Sequence, residues 1–312
     1  MVLAGIDLGG TNIKAALVDE NLKLIAKSSI PTNAGRDARQ IIADMAGQVI
    51  SLADKAGLSR ADISGVGIGI PGVAKDGNVI ALHNLHWHNV ALLRIFKEFL
   101  DVPVFIDNDG TVAAVYEYHL GVLAGCNVGV LLTLGTGIGG GIIIDGKPFS
   151  GAHGLGSELG HMTLIKDGLQ CTCGNKGCFE VYASATALVR YGRQIVIERP
   201  ESLLHHAAGG DYRSVTAKMV MDSAKDGDII ALRVIDDYSD CLATGIASIM
   251  NSLDPEVIAL GGGVSAAGDF LLNKVIAAMD GKGVFAGQKY ADIRIAKSGN
   301  DAGLIGAAML AK

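Results

Sequence analysis

Two stretches of this 312-residue chain, 126 positions apart, are built alike. The first, "IDLGGTNIKAALVDEN", is a short apolar run that ends in an acid and two glycines, resumes with alternating apolar residues, and breaks at Asp19-Glu20-Asn21. The second is "LTLGTGIGGGIIIDGK". Set against each other, Asp7-Leu8-Gly9-Gly10 falls on Thr133-Leu134-Gly135-Thr136 and "AALVDEN" falls on "GIIIDGK"; Leu8/Leu134, Gly9/Gly135 and Asp19/Asp145 coincide. Each stretch reads as strand, glycine turn, strand, polar turn. One such hairpin in each half predicts a duplicated architecture.

The remaining elements fit an α/β chain. The spacing of Ile41, Ile42, Met45, Val49 and Leu52 predicts a helix from about Ala38 to Ala56. "ISGVGIGIPG" (63–72) reads as a buried strand, and "VPVFIDNDG" (102–110) as a second one that breaks into polar residues. "TVAAVYEYHLGVL" (111–123) then reads as a helix starting directly after Asp109. Ile229–Leu253 keeps a helical apolar spacing until Asp254-Pro255 stops it. "EVIALGGGVS" (256–265) is a strand running into a glycine turn, and "DAGLIGAAMLA" (301–311) a closing small-residue helix. "HNLHWH" (83–88) and "GGDYRSV" (209–215) read as loops. No low-complexity linker interrupts the chain, so two lobes are expected to pack closely around a cleft. Residues 1–118 plus 301–312 would form the smaller lobe and 119–300 the larger.

Composition excludes several classes. With 49% hydrophobic and 19% charged residues the chain is a packed globular protein. A net charge of −6 argues against nucleic acid or an anionic membrane as partner. "MVLAGIDLGG" lacks the basic start of a signal peptide. Leu120–Ile144 carries no charged residue, yet eight of its 25 residues are glycine, too many for a spanning helix. Five cysteines, an odd number, fit a reducing cytoplasm better than a disulfide framework.

Two phosphate-binding signatures fail on context. Gly135-x-Gly137-x-x-Gly140 spells a dinucleotide fingerprint, but "GIIIDG" continues as a strand where that fingerprint needs a helix. Gly141-x4-Gly146-Lys147 is followed by Pro148 instead of the Ser or Thr a P-loop requires. Three simpler turns remain, "DLGGTN" (7–12), "TLGTGIG" (133–139) and "LGGGVS" (260–265), each after a buried strand. Any one alone is an ordinary tight turn. Three together, with bare backbone N–H groups and the Thr11 and Thr136 hydroxyls, point to a nucleotide polyphosphate.

"CTCGNKGCFE" (171–180) packs Cys171, Cys173 and Cys178 into eight positions, with Gly174 and Gly177 to let the loop curl. His161, ten residues upstream, completes a Cys3His set suited to structural zinc. The alternative is a cluster of unliganded thiols. Glu158 and Glu180 flank these ligands, so a metal would pin both carboxylates and one imidazole on a rigid patch. His83, His86 and His88 form a second, weaker metal candidate and read more naturally as surface residues. Asp109, between a strand and a helix, would lie near the positive helix end; a helix N-cap is the plainer reading.

The motifs "IDLGGTNIKAALVD", "FIDNDG", "LTLGTGIGGGIIIDGK", "GAHGLGSELGHM", "CTCGNKGCFE" and "ALGGGVS" stand in the order of the ROK family of sugar kinases and sugar-responsive repressors, and the whole chain resembles that family. The resemblance implies two RNase-H-like α/β lobes of the actin and hexokinase type. It implies Asp109 as general base and Asn84, Asn108, Glu158, His161 and Glu180 as sugar contacts, His161 also serving the zinc. It implies Asp7 near magnesium, with Lys14, Gly9, Gly10, Thr11, Thr133, Gly135, Thr136 and Gly137 about the phosphates and Gly261, Gly262 and Gly263 on the adenosine side. ATP-dependent phosphorylation of a hexose at its 6-hydroxyl follows, with glucose first and N-acetylmannosamine, fructose or allose as alternatives. Relatives are often dimers or tetramers. A non-catalytic sugar-sensing regulator is the competing class; it would need an N-terminal helix-turn-helix where this sequence opens on a strand. Ser157 stands where many relatives have glycine, and the histidine-rich 83–88 stretch is unusual; both bear on the sugar pocket.

Overall fold

The structure, a computed structural model, describes residues 2–283, 290–297, 299 and 301–312. The chain opens with strands β1 (Val2–Leu8), β2 (Asn12–Val18) and β3 (Leu24–Pro31), then helix α1 (Ala38–Lys55). Strand β4 (Ile63–Ile70) leads into three short strands, β5 (Val73–Lys75), β6 (Asn78–Leu82) and β7 (Trp87–Val90). Helix α2 (Leu92–Lys97), strand β8 (Val104–Asn108) and helix α3 (Asp109–Leu120) complete the first series. The second begins with β9 (Val128–Leu134), β10 (Ile138–Ile144) and the short β11 (Lys147–Pro148). Helices α4 (Phe179–Ala183), α5 (Ala185–Glu198), α6 (Leu203–Ala207), α7 (Ala217–Lys225) and α8 (Ile229–Leu253) follow. Strand β12 (Val257–Gly261), helix α9 (Asp269–Ala278), strand β13 (Asp292–Ile295) and helix α10 (Ala302–Met309) end the chain.

The two series share one topology. The first five-stranded sheet runs β3-β2-β1-β4-β8 and the second β11-β10-β9-β12-β13. In the first, β1 is antiparallel to β2 and parallel to β4, which is parallel to β8. In the second, β12 lies parallel to both β9 and β13. Strands β9 and β10 begin and end 126 residues after β1 and β2, so the sequence repeat is a repeat of structure, residue for residue. Two compact units divide the chain: residues 1–124, 141–157 and 298–312, and residues 125–140 and 158–297.

Local sequence accounts for most of these elements. Strand β1 is buried along nearly its whole length and β4 at all but Ser64, which is why both read as apolar runs without alternation. Strand β3, at the sheet edge, alternates between half-buried and exposed residues. Asp37 caps α1 by accepting from Arg39 N at 2.8 Å, and Ile41, Ile42, Met45, Val49 and Leu52 all enter the core of the first unit. Asp228 caps α8 through Ile230 N at 2.9 Å, and at the far end Asp254 takes a positive φ of 45°.

Three details differ from the sequence reading. The 83–88 stretch is not a plain loop: residues 83–85 form a 3-10 turn and Trp87 starts β7, in a three-stranded sheet β5-β6-β7. Strands this short, punctuated by positive φ at Asp76, His86 and Asn89, leave no periodicity to read. The 209–215 stretch likewise contains a 3-10 turn at Tyr212–Ser214. Helix α3 starts at Asp109, with Asn108 as its cap, so Asp109 is the first helical residue and not the cap.

Helix α10 brings the end of the chain back onto the start of the first sheet. It lies so close to β1 and β4 that a Cβ on Gly5 would overlap the Leu304 carbonyl oxygen, and one on Gly67 the Ala307 carbonyl oxygen. Both partners are backbone atoms and cannot swing away. Gly67→Ala is therefore expected to destabilise the protein by about 1–3 kcal/mol, as overpacking does. Gly47 lies on the exposed face of α1, with nothing within 4 Å of where a Cβ would stand. There Gly47→Ala should instead gain about 0.5–1 kcal/mol. Thermal melts of the two variants check the opposite signs.

Candidate active site

In the first unit, candidate residues gather at the carboxyl ends of β1 and β8. Asp7 faces Lys14 across the β1–β2 hairpin, with carboxylate and ammonium 3.3 Å apart. The intervening turn closes through Gly9 N donating to Asn12 O at 3.0 Å. Thr32, fully buried just after β3, clamps it from behind: its hydroxyl donates to Gly9 O at 2.7 Å and its N–H to Thr11 O at 2.8 Å. Thr11 itself is exposed. A Cβ on Gly10 would stand 3.1 Å from the Asn84 Cβ, so Asn84, exposed in its 3-10 turn, lies against this hairpin.

At the end of β8, Asn108 accepts from Gly110 N at 2.8 Å and donates its amide to Gly72 O at 3.1 Å. The amide is thus fixed in orientation by the turn that follows β4. Asp109 Oδ1 also accepts from Gly110 N at 2.8 Å, which leaves the carboxylate at the positive end of α3 and exposed to solvent.

In the second unit the turn after β9 is held by its own backbone and by α5. Gly135 N donates to Gly137 O at 3.0 Å, Ala185 N to Gly135 O at 2.8 Å, and the Thr186 hydroxyl to Thr136 O at 2.6 Å. Thr133 Oγ1 sits over Gly139, where a Cβ would displace it. Gly261 pairs with Thr133 in the parallel β9–β12 ladder. Gly262 has φ of +81°, and its Cβ would stand 2.6 Å from Leu134 N; the two turns therefore adjoin at neighbouring strand ends. Gly263 has open space beside it and borders a cavity of about 310 Å³ lined by Ala185, Met221, Val264, Lys218 and Lys225. A different cavity of about 640 Å³, lined by Met250, Ile276, Tyr290 and Arg294, contains none of the candidate residues.

The cysteine segment forms a tight knuckle. Thr163 bridges Cys178 and Gln170 bridges Lys176. Gly174 and Gly177 take φ of +97° and +78°, and Gly177 packs directly on Ile165 O, which admits no side chain. Tyr182, on α4, receives the Leu169 N–H at 2.7 Å and ties the loop down. The ligand atoms of His161, Cys171, Cys173 and Cys178 all lie within 4.8 Å of one another. His161 Nδ1 is 3.8 Å from Cys171 Sγ, and Cys173 Sγ is 3.7 Å from Cys178 Sγ. Tetrahedral thiolate ligands about 2.3 Å from a zinc ion stand roughly 3.8 Å apart, so the donor set fits that metal.

Burial pushes the Cys171 thiol up to about 12, with the hydrogen bond to Glu180 adding to it, and burial also raises Cys178. Cys173 is held below its ordinary value by the Asn175 N–H. A bound cation would hold these thiols as thiolates despite their burial.

Around this knuckle the two glutamates divide. Glu180, in the first turn of α4, has Oε1 3.0 Å from Cys171 Sγ and 3.8 Å from His161 Nδ1; Oε2 accepts from Ile138 N at 3.4 Å. It closes on Gly137, where any side chain would strike it. Glu158 lies on the other side of the imidazole, 3.8 Å from Nε2. The two ring nitrogens of His161 thus face different ways, Nδ1 to the thiols and Nε2 to Glu158. Helix α4 is anchored by the buried Tyr238, whose hydroxyl donates to Ala183 O at 2.8 Å, and by Phe179 seated in the notch at Gly245.

Among the described residues, no metal-ligand group other than the His161 set emerges; His83, His86 and His88 do not form one. Sequence reading missed Thr32, Tyr182, Asp107 and Ser150. Asp107 Oδ1 accepts from Asn108 N at 2.7 Å and Oδ2 from the Ser150 hydroxyl at 2.9 Å. Its place directly before Asn108-Asp109 was the one available signal.

Residues 3–312 match the ROK family, and the chain belongs to that family. It is 37% identical over 312 residues to a glucokinase of Halalkalibacterium halodurans, covering 99% of this chain and 94% of that protein. A xylose repressor of Caldicellulosiruptor bescii is 30% identical over 275 residues, covering 88% of this chain and 68% of the repressor. The crystal structure of a ROK family glucokinase from Streptomyces griseus in complex with glucose and AMPPNP superposes with a TM-score of 0.81 at 32% identity, covering 99% of both chains.

Proposed function

We propose that this ROK-family chain is an ATP-dependent sugar kinase that transfers the γ-phosphoryl group to the 6-hydroxyl of a hexose, glucose above all. The observation that carries the reading is the end of β8, where Asn108 is locked by its cap and its bond to Gly72 while Asp109 stands exposed beside it. The identity to glucokinases over essentially the full chain supports glucose as acceptor.

In this reading Asp109 takes the proton of the acceptor hydroxyl late in transfer, when bonding of the hydroxyl oxygen to phosphorus makes it acidic and ADP departs. Asn84, Asn108, Glu158, Glu180 and His161 through Nε2 would hold the sugar hydroxyls, carboxylates as acceptors and amides as donors. The N–H groups of Gly10, Thr11, Thr136 and Gly137, with Lys14, would meet the phosphate charge, Gly9 and Gly135 closing the turns. Gly261–Gly263 and the cavity beside Gly263 would receive the nucleoside. Asp7, partly exposed beside the first turn, suits a magnesium ligand. Magnesium, when bound, would neutralise phosphate charge there.

We assign His161, Cys171, Cys173 and Cys178 to a zinc ion. Four protein ligands leave no open position, so the metal would orient His161 and Glu180 without touching the sugar. All five cysteines are free, no helix among the described residues is long and apolar enough to cross a membrane, and we place the enzyme in the cytoplasm.

ADP release across a panel of glucose, mannose, fructose, allose, N-acetylglucosamine and N-acetylmannosamine tests the acceptor. Glucose should lead in kcat/KM, by about 10³ if the site reads each hydroxyl with a buried partner. Silence on every sugar in folded protein would favour a regulator. Asp109→Ala should lower kcat by about 10²–10⁴ while the sugar Kd, measured calorimetrically, stays within about threefold; turnover near the parent rate would remove Asp109 as base. One zinc per chain is expected by elemental analysis. Cys173→Ser should lose it and weaken sugar binding at least about tenfold; a zinc-free protein with parent affinity would separate the knuckle from the pocket.

A further inference from the structure

Residues 149–157, "FSGAHGLGS", form a closed loop in the first unit. Phe149 N, donating to Ile142 O at 2.8 Å, anchors its start to β10, and Gly156 N, donating to Ser150 O at 2.9 Å, draws its base together. The Lys75 ammonium donates to Ala152 O, and Gly154 packs against the Ala74 carbonyl so closely that a side chain there would collide. Two side-chain bonds then tie the loop to the end of β8 and the first turn of α3. Ser150 donates to Asp107 Oδ2 at 2.9 Å, and Ser157 and Thr111, both buried, share a hydroxyl bond at 3.3 Å. The attachment points, Asp107 and Thr111, bracket the Asn108-Asp109-Gly110 segment.

The Asp107 carboxylate is costly where it stands. Burial pushes it up, against the pull of hydrogen bonds from Asn108 N, Ser150 and Thr111, and all of those donors are neutral. Its two oxygens have separate tasks: Oδ1 fixes the backbone leading into Asn108, and Oδ2 fixes the loop. We propose that Asp107 is a positioning residue for the acceptor site, which through Ser150 holds the 149–157 loop in register with the Asn108-Asp109 segment. Asp107 touches no reacting atom; it holds the segment bearing the base against the loop beside it. The inference rests on the sugar-kinase reading above.

The test combines steady-state kinetics of Asp107→Ala, Ser150→Ala and the double variant with amide hydrogen exchange of 149–157 in sugar-free protein. Each single variant should raise the sugar KM about tenfold and leave the ATP KM within about twofold. The double variant should do no worse than the poorer single one, as for two residues acting through one bond. Exchange in 149–157 should rise in all three. Ser150→Thr, which keeps the hydroxyl, and Asp107→Asn, which keeps an acceptor oxygen, should restore most of the affinity and serve if the alanine variants fold poorly. Additive KM effects, or parent-like KM and exchange in both single variants, would overturn the proposal. If the parent protein phosphorylates no hexose, the kinase reading fails by itself; the exchange measurement still decides whether Asp107 secures the loop.

Discussion

Parallel pairing of neighbouring strands fixes where chemistry can occur in this fold. Strands β1, β4 and β8 run side by side in one direction, as do β9 and β12. Within each sheet their carboxyl ends therefore come out together, and the chain must leave the ladder there in turns. Asp7 and the 9–11 turn hang from β1, and Asn108 and Asp109 from β8. The 133–137 turn hangs from β9, and Gly261–Gly263 from β12. Open sheets place their ligands at such ends. The repeated topology supplies such an end in each sheet.

That repeat was legible in the sequence, and the reason is physical. A strand covered on both faces reads as a continuous apolar run, and a tight turn selects glycine, so the β1–β2 and β9–β10 hairpins carry strong local signals. The start of α3 was legible to within two residues for a similar reason: Asn-Asp-Gly is capping chemistry. The β5-β6-β7 sheet was not legible, since strands of three to five residues broken by left-handed Asp76, His86 and Asn89 show no period. Nor were Thr32, Tyr182 and Ser150. Each acts through hydrogen bonds to residues far away in the chain, and nothing in the neighbourhood of a serine or threonine announces such a partner. The cysteine knuckle lies at the other extreme: three thiols and two glycines in eight positions leave few other uses.

The knuckle also explains an economy in the side chains around it. Histidine offers two nitrogens in fixed opposition, so a ligand that commits Nδ1 to the Cys171 side presents Nε2 toward Glu158 without any further support. Glu180 meets the same cluster from helix α4 and the 137–138 backbone from its other oxygen. Rotational freedom that the long Glu180 side chain would otherwise lose on binding a ligand is already given up in folding.

The two hairpins match in length, yet the chain that follows them does not. Between Thr32 and Asp62 the first sheet is rejoined after one long helix; from Phe149 to Glu256 the second is rejoined only after the knuckle and five helices. The pairing of β9 with β12 is the same kind of parallel ladder as that of β1 with β4 regardless of this extra length. Parts added between strands whose pairing does not depend on them can be exchanged in evolution without rebuilding the sheet. A scaffold of this kind holds its strand pairing constant while the length and content of the chain between strands are left open to change.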